Sequence, residues 1–144
     1  MTGLFIDTDV VVDLLTDRKP FSGIAARLFD HSEKGNARLY LSSLSYANIY
    51  YVVRKNTTHK TMIGLLRDLE SITETVDVTK AIIKASLQSE FKDFEDAIQY
   101  QAAVSNKKIS AIVTRNPKDY KGSALAVLSP EEAVGLLDSA TQPE

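Results

Sequence analysis

The chain of 144 residues has no cysteine and only two histidines. It therefore has no disulfide, no thiolate metal ligand and no cysteine nucleophile, and the ligands that zinc prefers are scarce. No apolar run approaches the roughly 20 residues needed to cross a bilayer, and the N-terminus lacks the basic-then-apolar pattern of a signal peptide. We therefore expect a cytoplasmic protein with no membrane contact.

The chain also lacks a large excess of charge of either sign. The formal net charge is −2, so any contact with nucleic acid must come from local basic clusters. A hydrophobic content of 44% and a charged content of 25% are typical of a globular protein. The length suits one domain, which we expect over 1–138, with a flexible C-terminal tail over 139–144.

Short apolar segments alternate along the chain with longer segments of helical periodicity. The first apolar run, 4–7, ends in an acid and is followed by an apolar helical stripe over 10–15. Strands that alternate with helices in this way imply β-α-β crossovers and a mostly parallel sheet with helices on both faces. We therefore predict an α/β fold, a three-layer α/β/α sandwich. The predicted strands are 4–7, 37–43, 75–78, 110–114 and 125–129.

Polar side chains follow the predicted strands at the carboxyl edge, where ligands bind in open parallel sheets. Most have an ordinary alternative role, because Asp and Ser are preferred helix caps and Asn-Pro-Lys-Asp is a good turn sequence. The convergence of carboxylate and carboxamide groups from separate segments favours a functional site. The polar residues in these positions are Asp7, Thr8, Asp9, Ser42, Ser43, Asn48, Thr114, Arg115, Asn116 and Asp119.

The segment 91–104 contributes further acids. On a helix, Asp93 and Asp96 lie side by side on the face that we expect to turn toward the core. Glu95 and Gln99 are expected to point the other way. Two interpretations remain open: Asp93 caps the helix with Asp96 at its third position, or both acids belong to the site. Crowded carboxylates repel one another unless a divalent cation lies between them, and oxygen ligands favour Mg²⁺ or Mn²⁺.

Four motifs resemble those of a known nuclease family. In chain order they are LFIDTDVVVDLL, SSLSYANIYYVV, FEDAIQYQAA and IVTRNPKDY. In order and spacing they resemble the motifs of the PIN-domain nucleases, in particular bacterial proteins related to the VapC-type toxins of toxin–antitoxin pairs. The resemblance implies a Mg²⁺- or Mn²⁺-dependent ribonuclease that cuts phosphodiester bonds with metal-activated water. It also implies frequent homodimerisation and inhibition by a small antitoxin.

The resemblance also implies a set of site residues. Asp7 and Asp96 would bind the metal, with Asp93 as a companion, and the fourth-motif position falls on Asn116 or Asp119. The catalytic acids would be the four aspartates of this set. The residues that resemble the small hydroxyl residues lining such sites are Ser42 and Thr114.

Two positions depart from the family pattern. Asn48 stands where the second motif usually has glutamate, and Asn116 stands where the fourth often has aspartate directly after Thr-Arg. Asparagine offers a neutral carbonyl oxygen to a cation but adds no charge and cannot act as a general base. Both remain candidate metal ligands, and we expect metal binding to be weaker by about 1.5–3 kcal/mol for a lost charged ligand. A catalytically weak or inactive RNA- or protein-binding module is therefore an alternative.

Basic residues near the acids are candidates for contacts with RNA phosphates. We favour Arg115, because its loop would place it at the site entrance and a guanidinium can bind phosphate through two N–H groups. Arg54 is a second candidate. A further alternative is a phosphoacceptor receiver domain, with Asp77 as the acceptor. The remaining basic residues considered are Lys55, His59, Lys60, Lys118 and Lys121, of which Lys55, Lys60 and Lys121 are better explained as solvated surface charge.

Overall fold

The computed structural model describes residues 1–141, and each predicted strand is present there with slightly different ends. The strands are β1 (Thr2–Ile6), β2 (Ala37–Ser42), β3 (Glu74–Val76), β4 (Ala111–Val113) and β5 (Ala126–Leu128). The helices are α1 (Thr8–Leu15), α2 (Ser22–Glu33), α3 (Ser43–Val53), α4 (His59–Ile72), α5 (Lys80–Leu87), α6 (Phe94–Val104) and α7 (Pro130–Thr141). Short 3₁₀ turns at Arg54–Asn56 and Pro117–Tyr120 follow α3 and β4.

The strands pair in parallel in the order β3-β2-β1-β4-β5. The chain winds outward from β1 through β2 to β3, then crosses to the other side of β1 for β4 and β5. The direction of winding therefore reverses between β1 and β4. Open α/β sheets bind their ligands at such a reversal, outside the carboxyl ends of the strands. The residues that directly follow β1 and β4 therefore lie where a site is expected.

Helices cover both faces of the sheet, which confirms the predicted three-layer sandwich. Leu4 and Ile6 of β1 point into a core formed with α1, α2, α3, α4 and α7. Phe5, between them, points into the opposite core, formed with α5 and α6. Because a central parallel strand is buried on both faces, it takes the continuous apolar sequence seen at the start of the chain.

The strand order excludes the receiver-domain alternative. Receiver domains have the order 2-1-3-4-5, in which the third strand lies inside the sheet, whereas β3 lies at the sheet edge here. Asp77 follows this edge strand and is exposed. The interpretation of Asp77 as a phosphoacceptor is therefore wrong.

Several helices begin at a side chain that caps them. The capping oxygens of Asp7, Ser42, Thr58, Thr79 and Asp93 each accept an N–H from the first turn of the helix that follows. Such caps satisfy backbone donors that have no partner within the helix. Asp7 directly follows β1 and Ser42 is the last residue of β2, so a strand and a helix together fix the position of each.

The closing helix α7 continues through Thr141, three residues into the segment expected to be a tail. Residues 142–144 lie outside the described residues, and a domain boundary at residue 138 stays a prediction. None of the helices within 1–141 combines the length and the apolar character that a membrane crossing requires.

Candidate active site

Asp7 lies at the reversal between β1 and β4, and two parts of the chain hold its carboxylate. Its Oδ1 accepts the N–H of Thr8 at 2.8 Å. Its Oδ2 accepts the hydroxyls of Thr114 at 2.8 Å and Tyr120 at 3.2 Å. Asp7 is only 8% exposed, and burial raises its pKa above the usual range despite these hydrogen bonds. The sequence contains no signal that the Tyr120 hydroxyl reaches Asp7.

Asp9 is the second carboxylate at this edge; the sequence placed it among the polar residues that follow the strands, without a metal-binding or catalytic role. Its Oδ2 accepts the Nδ2 amide of Asn116 at 3.0 Å. Its Oδ1 is buried and has no hydrogen-bond partner among residues 1–141. Burial, followed by repulsion from Asp7, raises the pKa of Asp9 to about 6. A buried acceptor without a donor is costly unless a ligand meets it.

The start of α6 brings further acids to the same place. Asp93 caps α6, and its Oδ1 accepts the N–H of Asp96 at 3.0 Å, which confirms the capping interpretation. Burial is the main cause that raises the pKa of Asp96 to about 7, with repulsion from Asp93, Asp7, Asp119 and Glu95 adding to it. The repulsion by acids from three separate segments means that they share one electrostatic environment.

These acids line a cleft of about 370 Å³. Within residues 1–141, however, no three acidic or histidine side chains form a ready-made metal cluster. The carboxylates thus face one cleft without already converging on one point. The acidic residues that line it are Asp7, Asp9, Asp13, Asp93, Glu95, Asp96 and Asp119, and the basic residues are Arg18 and Arg115.

A buried hydrogen-bond network joins α6 to the beginnings of α1 and α3. Gln99 is 0% exposed; its Oε1 accepts the Ser42 hydroxyl at 2.7 Å. Its Nε2 donates to Oγ1 of Thr8 at 3.1 Å and to Oγ of Ser45 at 3.0 Å. The expectation that Gln99 points away from the core was therefore wrong. Its partners come from segments far apart in sequence, so helical periodicity alone did not reveal them.

A second buried contact fixes Arg115. Asp13 is 2% exposed and accepts two hydrogen bonds from the guanidinium, from Nε at 2.5 Å and from Nη2 at 3.2 Å. The guanidinium also lies 4.1 Å from the centre of the Phe21 ring, a cation–π distance. Asp13 was missed, although an acid between the apolar residues of α1 is a signal that it has a partner.

A sequence model of the PIN domain matches residues 3–118, which is most of the chain. The chain belongs to the PIN domain family. Ribonuclease VapC1 of Aquifex aeolicus (strain VF5) is 24% identical to it over 134 residues, which cover 90% of this chain and 91% of that protein. The resemblance read from the four motifs is therefore confirmed.

Solved structures show that the fold is shared. A toxin-antitoxin complex from Klebsiella pneumoniae matches with 23% identity and a TM-score of 0.65, covering 90% of this chain and 98% of that one. VapBC2 from Rickettsia felis, bound to a promoter DNA fragment, matches with 17% identity and a TM-score of 0.64, covering 89% of this chain and 98% of that one.

Some predicted site residues of this PIN domain do not reach the cleft. Ser42 is fully buried and caps α3, so the expectation that it contacts substrate is not supported. Thr114 is also fully buried and acts on the site through Asp7. Arg54 follows α3, where its Nη1 donates to the carbonyl of Thr57 at 2.7 Å. The predicted residues that do line the cleft are Asp7, Asp93, Asp96, Arg115, Asn116 and Asp119.

Asn48 was expected in the site and Glu95 away from it, and the structure shows the opposite arrangement. The Nδ2 atom of Asn48 is buried and makes no hydrogen bond within the described residues, and Asn48 is not among the residues lining the cleft. Glu95, expected to point away, does line it. Burial, followed by repulsion from Asp93, raises the pKa of Glu95, and the nearby Asn48 amide offsets part of this rise. A carboxylate from α6 therefore lies beside the position at which α3 has an amide.

The oxygen donors in the cleft fit a hard divalent cation. Asp9 has one buried oxygen with no partner, and the Oδ1 of Asp7 accepts a single hydrogen bond, which leaves it a free lone pair. Asp96 lies close enough to Asp7 to be repelled by it. Carboxylate oxygens without nitrogen or sulfur ligands are the set that Mg²⁺ and Mn²⁺ prefer.

Proposed function

We propose that this PIN domain is a Mg²⁺- or Mn²⁺-dependent endoribonuclease and the toxin of a toxin–antitoxin pair. The main support is the cleft at the β1–β4 reversal, which is lined by seven acidic side chains. Burial and mutual repulsion keep the pKa of Asp9 at about 6 and that of Asp96 at about 7. Carboxylates kept in such an environment suggest that a cation belongs among them.

In this proposal Asp7, Asp9 and Asp96 hold the cation. When bound, it supplies a water of lowered pKa and stabilises negative charge on the leaving oxygen. Thr114 and Tyr120 donate to the Oδ2 of Asp7 and so leave the second lone pair of its Oδ1 for the cation. Asn116 plays the corresponding part for Asp9 through its Nδ2 amide, as an orienting residue rather than a ligand.

The remaining acids regulate protons and charge. Burial, with repulsion from Asp93 and Asp119, raises the pKa of Asp96 to about 7 in the metal-free chain, so binding of the cation would release a proton from this carboxyl group near pH 7. Glu95 supplies the carboxylate that Asn48 does not. The alternative of an inactive binding module rests on Asn48 and Asn116, and neither residue leaves the cleft short of acids.

RNA would enter beside the basic residues of the cleft. Asp13 accepts hydrogen bonds from Nε and Nη2 of Arg115. The third nitrogen of this guanidinium, Nη1, makes no hydrogen bond within residues 1–141. Arg18 lines the same cleft. We assign these two guanidiniums to RNA phosphates at the entrance of the cleft. Arg54, which lies away from the cleft lining, has no part in this assignment.

We further propose that the protein acts in the cytoplasm, forms a homodimer and is inhibited by a cognate antitoxin. The toxin-antitoxin complex among the similar structures supports the antitoxin. On this chain Tyr51 and Val52 of α3 and Phe94 of α6 are large exposed apolar residues, with 72%, 46% and 47% of their surface accessible. Val52 also lines the cleft, so a partner bound there would cover the site.

RNA cleavage by the purified protein tests the proposal. We expect single-stranded RNA to be cut with Mg²⁺ or Mn²⁺ and to remain intact in excess EDTA. Loss of an outer-shell partner of a metal typically costs about 10–100-fold in affinity or activity. Because Asp7 and Asp96 would bind the metal directly, Asp7→Asn and Asp96→Asn should each reduce the rate by more than this. The matched control is Asp68→Asn, an exposed acid of α4, which should leave the rate unchanged. Cleavage that persists in EDTA or in both site variants would rule out the mechanism.

A further inference from the structure

A second cavity adjoins the acidic cleft. It has a volume of about 650 Å³ and lies between the α5–α6 connection and the turn after β4. Asp93, Asp96 and Asp119 line both cavities, so these acids form the boundary between them. The volume lies within the range of about 300–1,000 Å³ typical of small-molecule sites.

Aromatic rings form part of the wall of this cavity. Phe91 and Tyr100 are both half-buried, and their ring centres lie 5.2 Å apart with planes inclined by 31°. The Tyr100 hydroxyl accepts the N–H of Ala124 at 2.9 Å, which holds that ring in place. Phe91 also packs its ring 6.2 Å from that of Tyr120, the residue that donates to Asp7. The wall is therefore continuous with the site.

Lysines surround the same cavity. Lys92, Lys118 and Lys121 line it and are exposed, and none of them forms an ion pair with another side chain in residues 1–141. Glu90 is the one acid in its lining that the cleft does not share. Cations without protein partners beside partly exposed rings are the combination that binds single-stranded nucleic acid, in which the rings stack on bases and the cations contact phosphates.

We propose that this cavity binds the nucleotide next to the cut bond, its base against Phe91 and Tyr100 and its phosphate beside Lys118 and Lys121. The inference rests on the proposed ribonuclease function and adds a substrate subsite to it. The shared acids set the geometry, because a nucleotide in the cavity has its phosphodiester linkage at the boundary with the cleft. An acidic protein segment is the competing occupant, and it has no need of the rings.

Adenosine 5′-monophosphate is a suitable probe because it has a base and a phosphate but no phosphodiester bond to cut. In NMR titrations in Mg²⁺ buffer, we expect it to shift the amide signals of Phe91, Lys92 and Gly122. Phe91→Leu should raise the Kd at least about fivefold, the lower limit for loss of a base–aromatic stack. Lys118→Gln/Lys121→Gln should raise the Kd for the nucleotide about threefold, as for exposed ion pairs, and leave adenosine binding unchanged.

The matched control is Lys107→Gln/Lys108→Gln, two exposed lysines near the amino end of β4, which should leave the Kd unchanged. Circular dichroism confirms that each variant is folded. No shifts in the cavity at about 10 mM nucleotide, ten times a Kd of about 1 mM, would overturn the subsite. An unchanged Kd in both the Phe91 and the lysine variants would do the same. Nucleotide binding is measured without cleavage, so the two proposals can fail separately. RNA cleavage without nucleotide binding would refute only the subsite, and nucleotide binding without RNA cleavage would refute only the nuclease.

Discussion

Gln99→Leu is the change that best tests how the fold positions the site. The substitution keeps the side-chain volume similar and removes three hydrogen bonds, one from Ser42 and two to Thr8 and Ser45. The hydroxyls keep contacts of 3.2 Å between Ser42 and Ser45 and 3.4 Å between Thr8 and Ser45, so they are not left wholly without partners. With a net contribution of about 1 kcal/mol per hydrogen bond, we expect a loss of about 2–3 kcal/mol in the free energy of unfolding.

Urea unfolding monitored by circular dichroism measures this loss, which corresponds to a Tm lower by about 5–10 °C in a domain of this size. The matched control is Gln101→Leu on the same helix. Gln101 is half-buried and its side chain makes no hydrogen bond within residues 1–141, so its loss should stay within about 0.5 kcal/mol. If Gln99→Leu costs no more than Gln101→Leu, the network does not hold α6 in place.

The same two variants separate the effect of Gln99 on stability from its effect on the relative positions of Asp7 and Asp96. Thr8 directly follows Asp7, and Gln99 is three residues after Asp96 on α6, so the network sets the distance between these two acids. We expect Gln99→Leu to weaken Mn²⁺ binding about tenfold, as for outer-shell partners, in calorimetric titrations of the folded protein. Gln101→Leu should bind Mn²⁺ as the wild type does. Equal Mn²⁺ affinities in the two variants would contradict the positioning role.

Three further outcomes are expected. Asp13→Ala leaves the half-buried guanidinium of Arg115 unpaired and should cost about 3 kcal/mol in urea unfolding. Asp30→Ala, in an exposed pair, should cost about 0.5 kcal/mol or less; similar losses in the two variants would refute a stabilising role of the Asp13–Arg115 pair. The pKa of Asp96 rises from 3.8 to about 7 on folding, so the folded chain keeps a proton that the unfolded chain releases. The free energy of unfolding in EDTA should therefore fall as the pH rises from 4 to 7. Urea midpoints measured across this range should fall less steeply for Asp96→Asn than for the wild type. Asn48→Glu adds a carboxylate beside Glu95 and should destabilise the protein in EDTA at pH 8. Because position 48 does not line the cleft, the variant should bind Mn²⁺ as the wild type does; a clearly higher affinity by calorimetry would show that position 48 belongs to the site.

The alternation of strands and helices was readable from the sequence because each element has its own hydrophobic period. It led directly to the parallel sheet, and the parallel sheet placed Asp7 and the 114–119 turn at the same edge, since right-handed crossovers return every strand in the same direction. The cap at Asp93 was equally readable, because capping depends on a side chain and the backbone within three residues of it.

Tertiary structure decided which polar residues serve the site. Gln99 is buried because Thr8, Ser42 and Ser45 meet it there, and Arg115 is fixed by Asp13, 102 residues away in sequence. Local periodicity cannot find such partners, since a buried polar group is tolerated only where distant segments satisfy its hydrogen bonds. The sequence alone thus determined the layers of the fold and the edge that holds the acids. Only the placement of α6 beside the beginnings of α1 and α3, where Gln99 joins them by hydrogen bonds, decided that Glu95 faces the cleft and Asn48 does not, because that choice depends on contacts between elements.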